Sequence, residues 1–178
     1  VHDIANNFYA KSRAKSNIVF PQCLNATMGG VVKLTKRMIT DHLDTYSCKY
    51  ARLMRRLRKG ELSFVYSNFA NFGGLRTLTK VMHVNVFTNY MTHGPGPRRY
   101  ALWTGEQTAR EKDTIRAVYN SSVNDDGSHI QVILGSSAIK EGVSLLRTKN
   151  MHMIDPYWNH SKMNQIIGRI SRFCSHKN

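Results

Sequence analysis

The segment Ile130-Gln131-Val132-Ile133-Leu134-Gly135-Ser136 decides the fold class. Its first five residues are rich in β-formers and carry no polar alternation, so they read as a strand. A strand of this kind is buried on both faces, as in a parallel sheet covered by helices. Gly135 and Ser136 mark where it ends.

The same pattern recurs on either side. Leu62-Ser63-Phe64-Val65-Tyr66, Tyr100-Ala101-Leu102-Trp103 and Met151-His152-Met153-Ile154 also read as strands. Helical patterns alternate with them. From Asp41 to Lys59 the residues Tyr46, Tyr50, Leu53, Met54 and Leu57 recur at spacings of three and four. Arg52, Arg55, Arg56, Arg58 and Lys59 load the last turns with cations, which suits a helix C-terminus, and Gly60 is a plausible stop. That basic end reads as a solvated face rather than a dedicated DNA-reading helix. Leu75 to Asn89 is helix-like. Glu106 to Tyr119 reads as a helix with Thr108, Arg110, Lys112 and Arg116 outside and Ile115, Val118 and Tyr119 inside. Ser161 to Phe173 reads as the last helix. His93 to Pro97 is a loop and Asn124 to Gly127 a turn.

Strands alternating with helices predict an α/β fold, a three-layer sandwich with a mainly parallel central sheet and helices on both faces. Right-handed crossovers place every strand's C-terminal end on one edge, where ligands bind. Ser67-Asn68, Thr104-Gly105, Gly135-Ser136 and Asp155-Pro156 all follow strands, so that edge can be read in advance. Residues 1–40 read as an N-terminal linker or docking piece, and residues 41–178 as the domain. The N-terminus, Val1-His2-Asp3, has no apolar signal region, and its lack of an initiator Met suggests a fragment or a processed chain.

Charge narrows the function. Twenty-six Lys and Arg against 11 Asp and Glu leave a formal +15, which implies a polyanionic partner, most simply nucleic acid. A solubilising surface, or a basic lobe meeting an acidic neighbour, is the other reading. No apolar run approaches the roughly 18–20 residues of a membrane span, so no membrane partner is expected. Cys23, Cys48 and Cys174 are few and far apart, which suits a reducing compartment. None of the scattered histidines pairs with a cysteine at zinc spacing, so no structural metal is expected.

Two segments carry chemistry. In Gln165-Ile166-Ile167-Gly168-Arg169-Ile170-Ser171-Arg172, a helix would put Gln165, Arg169 and Arg172 on one face, with Gly168 leaving room for close approach. Two guanidinium groups aimed one way suit a polyphosphate, because each offers fixed bidentate donors. An ordinary amphipathic helix with exposed arginines explains the same string. The second segment, Gly135-Ser136-Ser137-Ala138-Ile139-Lys140-Glu141-Gly142-Val143-Ser144-Leu145, follows a strand. Its glycines and hydroxyls allow a backbone to approach phosphates. A simple strand-to-helix turn is the alternative.

Together the two segments resemble motifs V and VI of the superfamily 2 helicases. Phe64-Val65-Tyr66-Ser67-Asn68-Phe69 with Gly73-Gly74 resembles motif IV, and Trp103-Thr104-Gly105-Glu106 the next strand end. The Tyr-Ser-Asn-Phe, Glu-Gly-Val-Ser-Leu, Pro-Tyr-Trp-Asn and Gly-Arg-x-x-Arg-Phe-Cys-Ser-His strings are similar to helicases of nucleocytoplasmic large DNA viruses. Among these are the poxvirus early transcription factor small subunit, nucleoside triphosphate phosphohydrolase I and African swine fever virus counterparts. The resemblance covers about residues 45–178 and implies a RecA-like C-terminal lobe.

By that resemblance, Arg169 and Arg172 reach ATP phosphates across a cleft between lobes, and Gln165 helps organise the phosphates and attacking water. Glu141 and Gly142 couple the nucleotide site to the nucleic-acid track. Ser67, Asn68, Ser136, Ser137 and Lys140 lie where the sugar-phosphate backbone runs. Many members carry a basic residue after the motif VI Gln or His; here it is Ile166, which leaves two arginines. Tyr157 and Trp158 read as packing between the sheet edge and the last helix, with base stacking the alternative.

The resemblance further implies ATP with Mg2+ as cofactor, held mainly by an N-terminal RecA-like lobe. The sequence has no Gly-x-x-x-x-Gly-Lys-Ser/Thr loop and no Asp-Glu-x-His box, so the chain alone is expected to be inactive. The implied partners are nucleic acid, DNA in preference to RNA, and viral RNA polymerase or transcription factor subunits. The implied location is the host cytoplasm (viral factory) and the virion. The competing reading is a module with a motor-like fold that binds DNA in transcription initiation without hydrolysis.

Overall fold

The computed structural model describes residues 10–19, 34–71, 73–136 and 144–155, with 161, 164, 167 and 168 beyond them. Three helices come first: α1 (Ala10–Asn17), α2 (Lys36–Tyr46) and α3 (Cys48–Leu57). They lead into β1 (Ser63–Tyr66), α4 (Leu75–Val84), β2 (Thr88–Asn89) and the one-turn α5 (Tyr90–His93). β3 (Arg99–Trp103), α6 (Ala109–Tyr119), a 3-10 turn at Ser122–Asn124, β4 (Val132–Gly135) and β5 (Asn150–Met153) follow. The strands form one sheet in the order β2-β3-β4-β1-β5, and every pairing is parallel. This is the expected α/β architecture, that of a RecA-like lobe.

Strand alternation builds the two apolar layers. Val65 of β1, with Val132 and Leu134 of β4, packs on one face against Tyr50, Leu57, Leu78 and Met82 of α3 and α4. Phe64, Tyr66 and Ile133 point to the other face, toward Ile115 and Tyr119 of α6. Each such side chain contributes about 1.5–3 kcal/mol by leaving water. The central strands β1 and β4 are buried throughout, as their apolar runs predict, whereas β5, among the described residues, pairs only with β1 and is half-buried along its length.

Four local features refine the sequence reading. The helix expected over 41–59 is two helices that meet at Ser47. The Ser47 hydroxyl accepts from the Tyr50 amide (3.0 Å), so it caps α3 and starts a new helix where periodicity alone ran on. The pattern over 75–89 ends at Val84, and β2 follows instead. Within the segment read as a linker or docking piece, α1 is a helix, and Ile18 and Ile39 enter the core beside Tyr50 and Leu78. The helix expected from Glu106 begins at Ala109, behind a capping box between Thr108 and Glu111. Ser161, Asn164, Ile167 and Gly168 are helical and exposed, at positions within the expected last helix.

Candidate functional site

The strand register puts the C-terminal ends level. Tyr66 lies opposite both Gly135 and Met153, and Trp103 lies opposite Gly135. The first residues beyond the strands are stitched by backbone hydrogen bonds. Ser67 N–H donates to Gly135 O (3.0 Å), Ser136 N–H to Trp103 O (3.2 Å) and Ile154 N–H to Tyr66 O (3.0 Å). Ser67-Asn68, Thr104-Gly105, Ser136 and Asp155 therefore share one edge, as the crossover rule predicts.

The residues expected at the nucleic-acid track differ in access. Ser67 is fully buried and Ser136 is 6% exposed, whereas Asn68 is half-buried. The Ser67 hydroxyl turns inward and donates to Asp155 Oδ1 (2.6 Å), with Phe69 O also in reach (3.1 Å). Asn68 N–H donates to Asp155 Oδ2 (2.7 Å). One carboxylate thus holds two successive residues of the turn. Asp155 itself is 2% exposed. Burial pushes its carboxyl above the ordinary range; hydrogen bonds from Ser67 and Asn68, the Arg13 charge and the Asn17 amide work the other way.

Helix α1 closes the back of this turn. Asn17 Nδ2 donates to Gly73 O (2.8 Å) and reaches Asp155 Oδ1 (3.5 Å), while its own Oδ1 accepts from Lys49 Nζ (2.9 Å). The Arg13 guanidinium lies 5.4 Å from the Phe69 ring centroid, a cation–π distance. The sequence pattern placed Asp155 on this edge without giving its carboxylate a role, and it did not single out Arg13 or Asn17. A short polar residue directly after an apolar strand was the one available signal.

The next strand end is built the same way. Gln107 Oε1 accepts from the Thr104 N–H and hydroxyl (2.8 Å each), which leaves Gly105 and Glu106 exposed. On the basic end of α3, Arg52, Arg55, Arg56 and Lys59 are exposed and have no acidic partner among the described residues. Ser137, Lys140, Glu141, Gly142, Gln165, Arg169 and Arg172 lie outside the described residues, as do Tyr157 and Trp158. Gly168 is described: it is helical, exposed, and a Cβ there would meet nothing within 4 Å among the described residues.

A sheet of this topology with this edge defines a class, and residues 48–174 match the family described as helicase conserved C-terminal domain. The chain belongs to that family. It is 45% identical, over 98% of its length, to a candidate ATP-dependent RNA helicase of Acanthamoeba polyphaga mimivirus, of which it spans 31%. It is 33% identical over 98% of its length to a candidate helicase of Invertebrate iridescent virus 3, spanning 20% of that protein. A termination factor NPH-I homolog of African swine fever virus is 32% identical over 67% of this chain, which spans 15% of that homolog. No described helix is long and apolar enough to cross a membrane.

Proposed function

We propose that this chain is the second motor lobe of a longer superfamily 2 ATPase that moves along nucleic acid. The observation that carries the reading is the family match over 48–174, laid on a parallel sheet whose strand ends put Ser67-Asn68 and Ser136 on one edge. The formal +15 and the exposed cations of α3, which have no acidic partner among the described residues, favour a phosphate backbone as partner. The viral relatives favour a viral protein acting with the transcription machinery, in the host cytoplasm and the virion. The mimivirus relative is named for RNA and the notion of a DNA track comes from the viral subgroup, so both nucleic acids belong in the assay.

In this proposal Asn68, Ser136, Ser137 and Lys140 meet the sugar-phosphate backbone, and Ser67 acts by shaping the turn. Arg169, Arg172 and Gln165 face the ATP phosphates, with Glu141 and Gly142 linking the two sites. ATP with Mg2+ is held mainly by another lobe, because this sequence contains no phosphate loop of its own. The open space around Gly168 fits that arrangement. No packing among the described residues demands a glycine on this exposed helix, so the position is left free for an approaching phosphate or partner lobe. When bound, ATP would favour the closed arrangement of the two lobes through contacts with Arg169, Arg172 and Gln165, and its hydrolysis would remove that preference.

The test is nucleic-acid binding and stimulated ATPase by the complete protein. Affinity that falls steeply with salt, together with turnover stimulated by DNA or RNA, supports the reading. Salt-sensitive binding without turnover would instead favour a DNA-binding initiation module.

A further inference from the structure

We propose that Asp155, braced by Asn17 of α1, is a positioning residue that sets the Ser67-Asn68 turn for its contact with nucleic acid. The inference rests on the reading that this turn meets the strand. Three segments far apart in sequence converge here. Ser67 and Asp155 are separated by 88 positions and Asn17 and Asp155 by 138. Both carboxylate oxygens are used, Oδ1 by Ser67 and Asn17, Oδ2 by the Asn68 amide.

The geometry separates shaping from contact. Ser67 is fully buried and its hydroxyl is spent on Asp155 and Phe69 O, so it has no group to offer a ligand. Asn68 is the accessible member, and its backbone amide is the atom that Asp155 fixes. A carboxylate placed in a buried site is costly unless its lone pairs are satisfied, and removing it would leave the Asn68 amide and Ser67 hydroxyl to find other partners. The turn could then no longer be held in one conformation. Asp155 is the second residue after β5 and Asn17 ends α1, so a shift in either segment is transmitted to Asn68 through the same carboxylate.

Residues before position 48, outside the family match, therefore take part in the site. Asn17 links Gly73 O, Lys49 and Asp155, and the Ser47 hydroxyl donates to the Asn17 carbonyl.

The experiment uses the complete protein and a single-stranded oligonucleotide, DNA and RNA in turn, and reads ATPase against oligonucleotide concentration. Asp155→Asn keeps the shape and one acceptor. It is expected to raise the half-saturating oligonucleotide concentration about 5- to 10-fold with the KM for ATP unchanged, the size of one ordinary hydrogen bond lost. Asn17→Ala is expected to shift the same parameter in the same direction by less. Asn68→Ala tests the underlying reading. Combined with Asp155→Asn it should be clearly less than additive, because both act through one contact. If Asn68→Ala weakens binding and Asp155→Asn does not, or if the pair is additive, the positioning role is overturned and the turn's contact survives. If Asn68→Ala has no effect, the contact itself is wrong. A loss confined to thermal stability in Asp155→Asn and Asn17→Ala, with half-saturation unchanged, would also overturn the inference.

Discussion

A Cβ on Gly73 would lie 2.5 Å from the carbonyl oxygen of Ala14, so α1 can seat on the turn after β1 only because position 73 lacks a side chain. Gly73 also has φ +71, a region that favours glycine. Gly73→Ala combines a backbone clash with an unfavourable φ. The expected cost is about 2–3 kcal/mol in urea denaturation, with α1 displaced. Removal of residues 1–19 should also destabilise the chain, because Ile18 is 1% exposed in the main core. Unchanged stability in both variants would show that α1 does not dock as described.

Asn124 is fully buried in the turn before β4, and all its polar capacity is used. Its Oδ1 accepts from the His129 and Ile130 amides (3.0 and 2.8 Å), and its Nδ2 donates to Ile130 O and Tyr119 O (3.0 and 3.3 Å). Asn124→Ala leaves those backbone groups without the side chain and should cost about 2–4 kcal/mol. The conservative Asn124→Asp should also lose stability, because it cannot donate to the two carbonyls when ionised. Equilibrium unfolding reads both.

Gly168 separates the needs of folding from those of function. It is an exposed helical glycine whose Cβ would meet nothing within 4 Å among the described residues, so Gly168→Ala should stabilise the chain by up to about 1 kcal/mol. If the proposed phosphate site lies beside it, the same change in the complete protein should raise the KM for ATP. A gain in both stability and activity would remove the close-approach argument.

Asp155 predicts a pH dependence of definite sign. Its folded carboxyl binds a proton more tightly than an ordinary one, chiefly because it is buried. Below the ordinary value both states are protonated. As pH rises from there through the higher folded value, the unfolded chain releases its proton first, so this contribution to stability is lost. Glu111 and Asp126, whose carboxyls are lowered by hydrogen bonds from Thr108 and Ser128, act in the opposite sense. Comparison of wild type with Asp155→Asn cancels them. The wild type should lose ground to the variant as pH rises through that window, and a constant difference would contradict the assignment.

Much of this was readable from residues alone, for identifiable reasons. Phe64-Val65-Tyr66 and Val132-Ile133-Leu134 are apolar without alternation, and only a doubly covered strand buries such a run. From those strands followed the level edge and the places of Ser67, Thr104, Ser136 and Asp155. Ser47 was hidden because a polar residue inside a periodic stretch looks like a solvent position until its hydroxyl is seen capping the next helix. β2 was hidden because its two residues borrow their identity from β3, through Thr88 opposite Arg99. The Asp155 clamp was hidden because its partners come from positions 17, 67 and 68, and no local pattern joins them.

The most direct test of the motor-lobe proposal is nucleic-acid-stimulated ATPase by the complete protein, wild type beside Arg169→Ala and Arg172→Ala. The account predicts stimulated turnover in the wild type and a loss of at least about 100-fold in each variant, scaled down from the roughly 10³- to 10⁵-fold of an arginine finger. Near-normal turnover in both variants would contradict the placement of this lobe against the ATP phosphates.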